Sequence, residues 1–132
     1  MTSKSSGSIP RGQLPVGAGP SGLPLQDLIS ARTGATSLYV GQQWLQPGEM
    51  VPRHDHPVEE ALIFLRGSGE ATLGDQTLSI TAGGSLLVPP LIPHGFRCTG
   101  DEPLHLLIIF PVPHFARTTP VIDPDSESDQ RS

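Results

Sequence analysis

The chain has 132 residues and a formal net charge of −5, and 15 Gly with 15 Pro make up nearly a quarter of it. That length suits one domain, and breakers at that density exclude a helical bundle, a coiled coil and a doubly wound α/β fold. Lys4 is the only lysine and the arginines are scattered, which leaves no basic surface for nucleic acid. Cys98 is the only cysteine, so neither an internal disulfide nor a cysteine-based zinc site is expected. Residues 1–8 are polar, and no apolar run is long enough to span a membrane. The expected setting is the reducing cytoplasm, away from membranes.

In chain order, residues 1–22 are rich in Ser, Gly and Pro and read as a flexible arm, either disordered or adding a strand to a partner subunit. Residues 24–32 predict one short helix: Pro24 suits a first turn, Leu25, Leu28 and Ile29 share a helical face, and Gly34 can end it. From residue 37 the pattern changes to strand and turn. Strands are predicted over 37–46, around 51–53, and over 59–66, 70–73, 76–80, 85–88, 94–98 and 104–110. Pro47-Gly48, Gly67, Gly74-Asp75, Gly83-Gly84, Pro89-Pro90, Gly100 and Pro111 punctuate them. Short strands at such spacing predict an all-β sandwich, jelly roll or barrel, here over residues 23–115. Residues 116–132 read as a disordered acidic tail, and within 120–132 Asp123, Asp125, Glu127 and Asp129 stand against Arg131 alone.

Three of the five histidines carry the chemistry. His54 and His56 stand two apart, so on a strand both imidazoles point to one face. Glu60 follows at another even offset, although Pro57 can break the strand and leave Glu59 as the inward acid. His94 opens a later strand. Three neutral imidazoles and a carboxylate suit one divalent first-row ion: Fe, Mn, Ni, Zn, Co or Cu.

The spacing Gly48, five residues, His54, one, His56, three, Glu60, six, Gly67 resembles the first motif of the cupin superfamily at every fixed position. Gly83, five residues, Pro89, then His94 and Cys98 resembles the second, with Leu91 where a Gly normally falls and Cys98 in place of an Asn. The resemblance covers residues 37–111. It implies a small double-stranded β-helix holding a metal inside the barrel through His54, His56, Glu60 and His94. It also implies a homodimer, and the apolar outer face at Ala61, Ile63 and Leu65 agrees with that.

Other residues are candidates for the pocket. With Glu60 inward, Leu62, Phe64 and Arg66 share its face, while Phe96 and Cys98 share that of His94. Cys98 is then a packed apolar group, a redox-sensitive thiol or a substrate contact. Gln43 and Trp44 lie on a wall strand whose register the sequence leaves open. Arg53, Arg66 and Arg97 either bind a substrate carboxylate or form surface ion pairs. His105 is a candidate general base, and Glu60 could move a proton as well as bind the metal. An open His3Glu site suits an enzyme on a small enol, oxo acid or polyketide-like substrate that chelates through neighbouring oxygens. Enolate stabilisation and O2-dependent cleavage are both within its chemistry. The alternatives are a non-catalytic module that captures a small ligand, and a structural role for the metal.

Overall fold

The computed structural model describes residues 7–122. Two antiparallel sheets face each other, one of six strands in the order β1-β2-β3-β10-β5-β8 and one of five in the order β11-β4-β9-β6-β7. The strands are β1 Gly17–Ala18, β2 Pro24–Ile29, β3 Tyr39–Leu45, β4 Met50–Asp55, β5 Glu60–Arg66, β6 Ser68–Leu73, β7 Gln76–Thr81, β8 Ser85–Val88, β9 His94–Cys98, β10 Leu104–Phe110 and β11 Thr119–Pro120. This is an all-β jelly roll. Alternation sets the core: Leu104, Leu106, Ile108 and Phe110 of β10 are buried while His105, Leu107 and Ile109 are only half-buried on the other face.

The helix expected over residues 24–32 is not formed. Pro24–Ile29 is a strand paired with β3, followed by a single 3-10 turn, Ala31–Thr33. A helix of that length is costly to nucleate, whereas β3 offers a ladder and seats for Leu25 and Gln26, both buried. Ser30 caps the turn, and Gly34 ends it in the left-handed conformation, so the helix-stop signal is real but serves a shorter element.

The segments on either side of residues 23–115 both make contacts with the sheets. Gly17–Ala18 pairs with β2, and the Gln26 carboxamide donates to the carbonyls of Arg11 and Leu14, fastening the expected arm to the sheet. After residue 115, Ala116 is buried and β11 pairs with β4. Residues 1–6 and 123–132, which include the rest of the arm and all the tail's acids, lie outside the described residues.

Two local devices aim the strands that carry the histidines. In β4 the register against β9 runs Val51↔Phe96 and then His54↔His94, so β4 holds one extra residue. This bulge turns Val51 and His54 both inward and leaves Pro52, which has no N–H to lose, exposed. At Gly95 a Cβ would come within 2.7 Å of the Val51 carbonyl, so only glycine lets β4 and β9 approach this closely.

The turn before β9 keeps a left-handed residue where glycine is the usual choice: Leu91 has φ +64°. Its N–H donates to the His56 carbonyl at 2.7 Å, which holds the backbone in place despite the strain. For an L residue that conformation costs about 1–2 kcal/mol, and the Leu91 side chain is largely exposed, so it offers little packing in return. Leu91→Gly is therefore predicted to raise the urea midpoint, reflecting a gain of about 0.5–1 kcal/mol in unfolding free energy after the greater chain entropy of glycine is deducted. A lowered midpoint would show that the turn is not strained.

Candidate metal centre

His54 and His56 come from β4 and the residue after it, Glu60 from the first position of β5, and His94 from the first position of β9. All four are buried, and one potential ligand atom from each lies within 4.8 Å of the others. Glu60 turns inward with Leu62 and Phe64, and Glu59 is exposed. The rings of His54 and His94 are a direct cross-strand pair with centroids 4.3 Å apart, and His56 lies 4.8 Å from His54.

Each imidazole is oriented through its Nδ1. That of His54 donates to the Pro52 carbonyl at 2.7 Å, that of His94 to Ile92 at 2.9 Å and that of His56 to Arg117 at 3.0 Å. A carbonyl only accepts, so Nδ1 carries the proton and a neutral ring presents a bare Nε2 to the centre. Glu60 Oε1 sits 2.8 Å from His94 Nε2 and 3.5 Å from His56 Nε2. Even so, Glu60 Oε1, His56 Nε2 and His94 Nε2 are buried without a hydrogen-bond partner. Three inward lone-pair donors with nothing to pair with are what a divalent transition metal requires, and the set fits one. Burial also favours the neutral rings. It lowers the pKa of His54 from its ordinary 6.5 to about 4, and it lowers that of His56.

A cavity of about 250 Å3 opens onto this cluster. His54 is the one ligand that lines it, and it is the most exposed of the four at 9%. The walls come from β3 (Gln43), β4 (Val51, Pro52 and Arg53) and both terminal segments: Pro20 and Ser21 on one side, Phe115, Thr118 and Pro120 on the other. The lining is mainly apolar, with the Gln43 carboxamide and Thr118 hydroxyl among its few polar groups. Gly19 lies against Gln43: a Cβ there would come within 3.2 Å of its Nε2.

The remaining candidates separate by face. Gln43 is buried on the inner face of β3, whereas Trp44 points outward and stacks on His105, with centroids 5.2 Å apart. His105 is therefore not a base in this cavity. Its Nε2–H donates to Gln42, whose carboxamide donates in turn to Gln26, on the outer side of the sheet. Burial lowers its pKa, as do the nearby charges of Arg11 and Arg66. Phe64 and Phe96 are core residues outside the cavity lining, and Cys98 is fully buried with its thiol donating to the Glu102 carbonyl. Arg53 borders the cavity and donates to the Gly74 carbonyl. Arg66 is turned outward by a bulge opposite His105 and meets Glu102, and Arg97 is exposed. Sequence reasoning missed Pro20, Ser21, Phe115, Arg117 and Thr118. The only signal was Phe115, an aromatic residue beyond the last long strand.

Comparison with known proteins agrees with this geometry. A family model for the cupin domain matches residues 42–110. The chain belongs to the cupin family. This cupin is 33% identical over 106 residues to "Polyketide synthase CurC" of Streptomyces cyaneus, covering 74% of the chain and 69% of that protein. It is 35% identical over 81 residues to "Protein SchB" of Streptomyces halstedii, a match covering 61% of the chain but only 59% of SchB. Its fold is shared with the polyketide cyclase RemF from Streptomyces resistomycificus, at TM-score 0.76, 20% identity and coverage of 97% and 94%. A Bacillus subtilis oxalate decarboxylase studied for its Mn(II) centers matches at TM-score 0.69 and 21% identity, over 83% of this chain and 32% of that one.

The lowered histidine pKa values make the metal-free protein sensitive to acid. Between pH 6.5 and about 4 the unfolded chain binds protons that folded His54 refuses. Stability is thus complete above pH 6.5 and falls as the pH drops through this window, by about 3 kcal/mol for His54 alone. Urea unfolding of the metal-free protein across that range checks this, and His54→Leu should flatten the profile. A wild-type profile that is flat, or rises on acidification, would contradict it.

Proposed function

We propose that this cupin is a metal-dependent enzyme acting on a small polyketide-like substrate with neighbouring oxygens, through redox-neutral enolate chemistry of the cyclisation type. The observation that carries the reading is the meeting of the buried His3Glu cluster with a largely apolar cavity at His54. The similarity to CurC, and the fold shared with the polyketide cyclase RemF, favour this substrate class over simple oxo acids.

His54, His56, Glu60 and His94 would hold the ion. When bound, it supplies a Lewis acid that stabilises negative charge on a substrate oxygen. The remaining work falls to the chain. Val51, Pro52, Phe115 and Pro120 exclude water around a flat, apolar substrate body, which strengthens every polar contact inside. Gln43 donates from Nε2 to a second substrate oxygen and so fixes which carbon faces which. Arg53, at the edge of the cavity, offers a charge to an acidic substituent. Glu60 is assigned to the ion. A part in proton movement would require its carboxylate to swing away, since of the four ligands only His54 lines the cavity.

Elemental analysis of the purified protein is expected to give about one transition metal ion per chain, and His94→Ala to weaken metal binding by at least tenfold. With aromatic polyketide precursors, turnover is expected without O2 uptake. Gln43→Leu should lower kcat/KM about tenfold at unchanged metal content, the loss expected for one hydrogen bond in a dry site. Stoichiometric O2 consumption would move the reaction to the oxidative class. A metal-saturated protein inert to every such substrate would favour a ligand-binding module.

The protein is further proposed to be a homodimer. On the outer face of the six-stranded sheet, Ala61, Ile63 and Leu65 of β5, Leu87 of β8, and Leu107 and Ile109 of β10 form one half-buried to exposed apolar surface. Sedimentation is expected to show a dimer that Ile63→Glu converts to monomer. A concentration-independent wild-type monomer would refute this. Among the described residues no helix is long and apolar enough to cross a membrane.

A further inference from the structure

The three imidazoles are not oriented in the same way. His54 and His94 each donate to a carbonyl two residues earlier in the chain, so their orientation is settled within their own strands. His56 instead donates to Arg117, 61 residues away. The Thr118 hydroxyl donates to the Ala116 carbonyl and lies 3.3 Å from His56 Nδ1, placed to accept a share of the same proton. One ligand of the cluster is therefore set by segment 111–122, which adds only the short edge strand β11 to the five-stranded sheet.

We propose that segment 111–122 is a clamp coupled to the metal: it fixes the tautomer and orientation of His56, and in return it docks firmly only when the metal centre is filled. The inference rests on reading the His3Glu cluster as a metal site.

The segment's other anchors are few. Phe115 packs edge-on against Tyr39, Phe110 and His56 at 5.6, 5.0 and 6.0 Å. Pro113 accepts from Ala31, Ala116 is buried, and β11 adds a two-residue ladder to β4, extended by a bond from Val121 N–H to the Arg53 carbonyl. Both residues of β11 are exposed. An attachment this short opens readily, and small changes in one bond shift its population.

His56 supplies such a change. Without an ion, the neutral ring has a competing arrangement, with the proton on Nε2 directed at the orphan Glu60 Oε1 3.5 Å away. Nδ1 is then a lone pair facing the Arg117 carbonyl, and the clamp loses its bond. An ion on Nε2 removes that alternative and holds the proton on Nδ1. Coupling of this kind is reciprocal: whatever docking adds to metal affinity, the metal adds to docking. Phe115, Thr118 and Pro120 also form one wall of the cavity, so filling the metal centre completes the substrate site.

Arg117 is exposed and reports directly on the clamp, because trypsin cleaves after it only when the segment opens. The full-length protein is digested with and without saturating Zn(II), with cleavage after Arg117 and after Arg11, exposed in the N-terminal segment, followed by mass spectrometry. Zn(II) is expected to slow cleavage after Arg117 at least tenfold while changing that after Arg11 less than twofold. Calorimetric titration should show Phe115→Ala binding Zn(II) about tenfold more weakly, the effect typical of an altered outer-shell partner. Phe115→Leu should recover most of the loss. Ile80→Ala, a core truncation in β7, should lower Tm but leave Zn(II) affinity unchanged. If Zn(II) binds but cleavage after Arg117 is unaltered, or if Phe115→Ala binds as tightly as wild type, the clamp is overturned and the metal site stands. If Zn(II) does not bind at all, both readings fall.

Discussion

Burying three imidazoles and a carboxylate together, with Nε2 of His56 and His94 and Oε1 of Glu60 left without partners, is the constraint around which this fold is arranged. A buried polar atom left unpaired costs about 1–3 kcal/mol, so several held together oppose folding unless an occupant meets them. The surrounding backbone works to hold them there. The β4 bulge reverses parity so that His54 joins Val51 inside, the left-handed turn at Leu91 ties the loop before His94 to the backbone of His56, and Gly95 lets the two strands close. Each of these is a local irregularity in an otherwise regular ladder, and each lies beside a member of the cluster.

The position of the cluster explains the role of the chain ends. A small barrel leaves its ligands near one end, and the cavity there is closed by segments outside the long strands. Pro20 and Ser21 arrive from the turn between β1 and β2, and Phe115, Thr118 and Pro120 from the chain beyond β10. The four ligands thus come from residues 54–94, while the shape of the substrate site depends on terminal segments whose own strands, β1 and β11, are short edges of the two sheets. That division fits a family in which one scaffold supports many reactions.

The middle of the molecule was legible in the sequence for physical reasons. Turn residues bound all eight strands predicted between residues 37 and 110, because Gly and Pro sit where ladders have to end. The approach of His54, His56, Glu60 and His94 followed from strand parity and motif spacing. The segment over 24–32 was misread because Leu25, Leu28 and Ile29 fit a helical period, and neither the β3 edge nor the seats for Gln26 and Tyr39 are visible locally. Asp27 accepts from the Tyr39 hydroxyl, a contact that only the strand form allows. His105 and Trp44 were ambiguous because register, not composition, decides a face. The terminal walls escaped because Ser-, Gly- and Pro-rich composition describes a chain without regular structure equally well whether or not it packs.

The most direct measurement of the central claim is a crystal structure of the metal-loaded protein with anomalous scattering at the metal edge. One ion is predicted, bonded to Nε2 of His54, His56 and His94 at about 2.0–2.2 Å and to a Glu60 carboxylate oxygen, with its remaining coordination open toward Gln43. An ion bound elsewhere, or a cluster filled by ordered water at saturating metal, would contradict it.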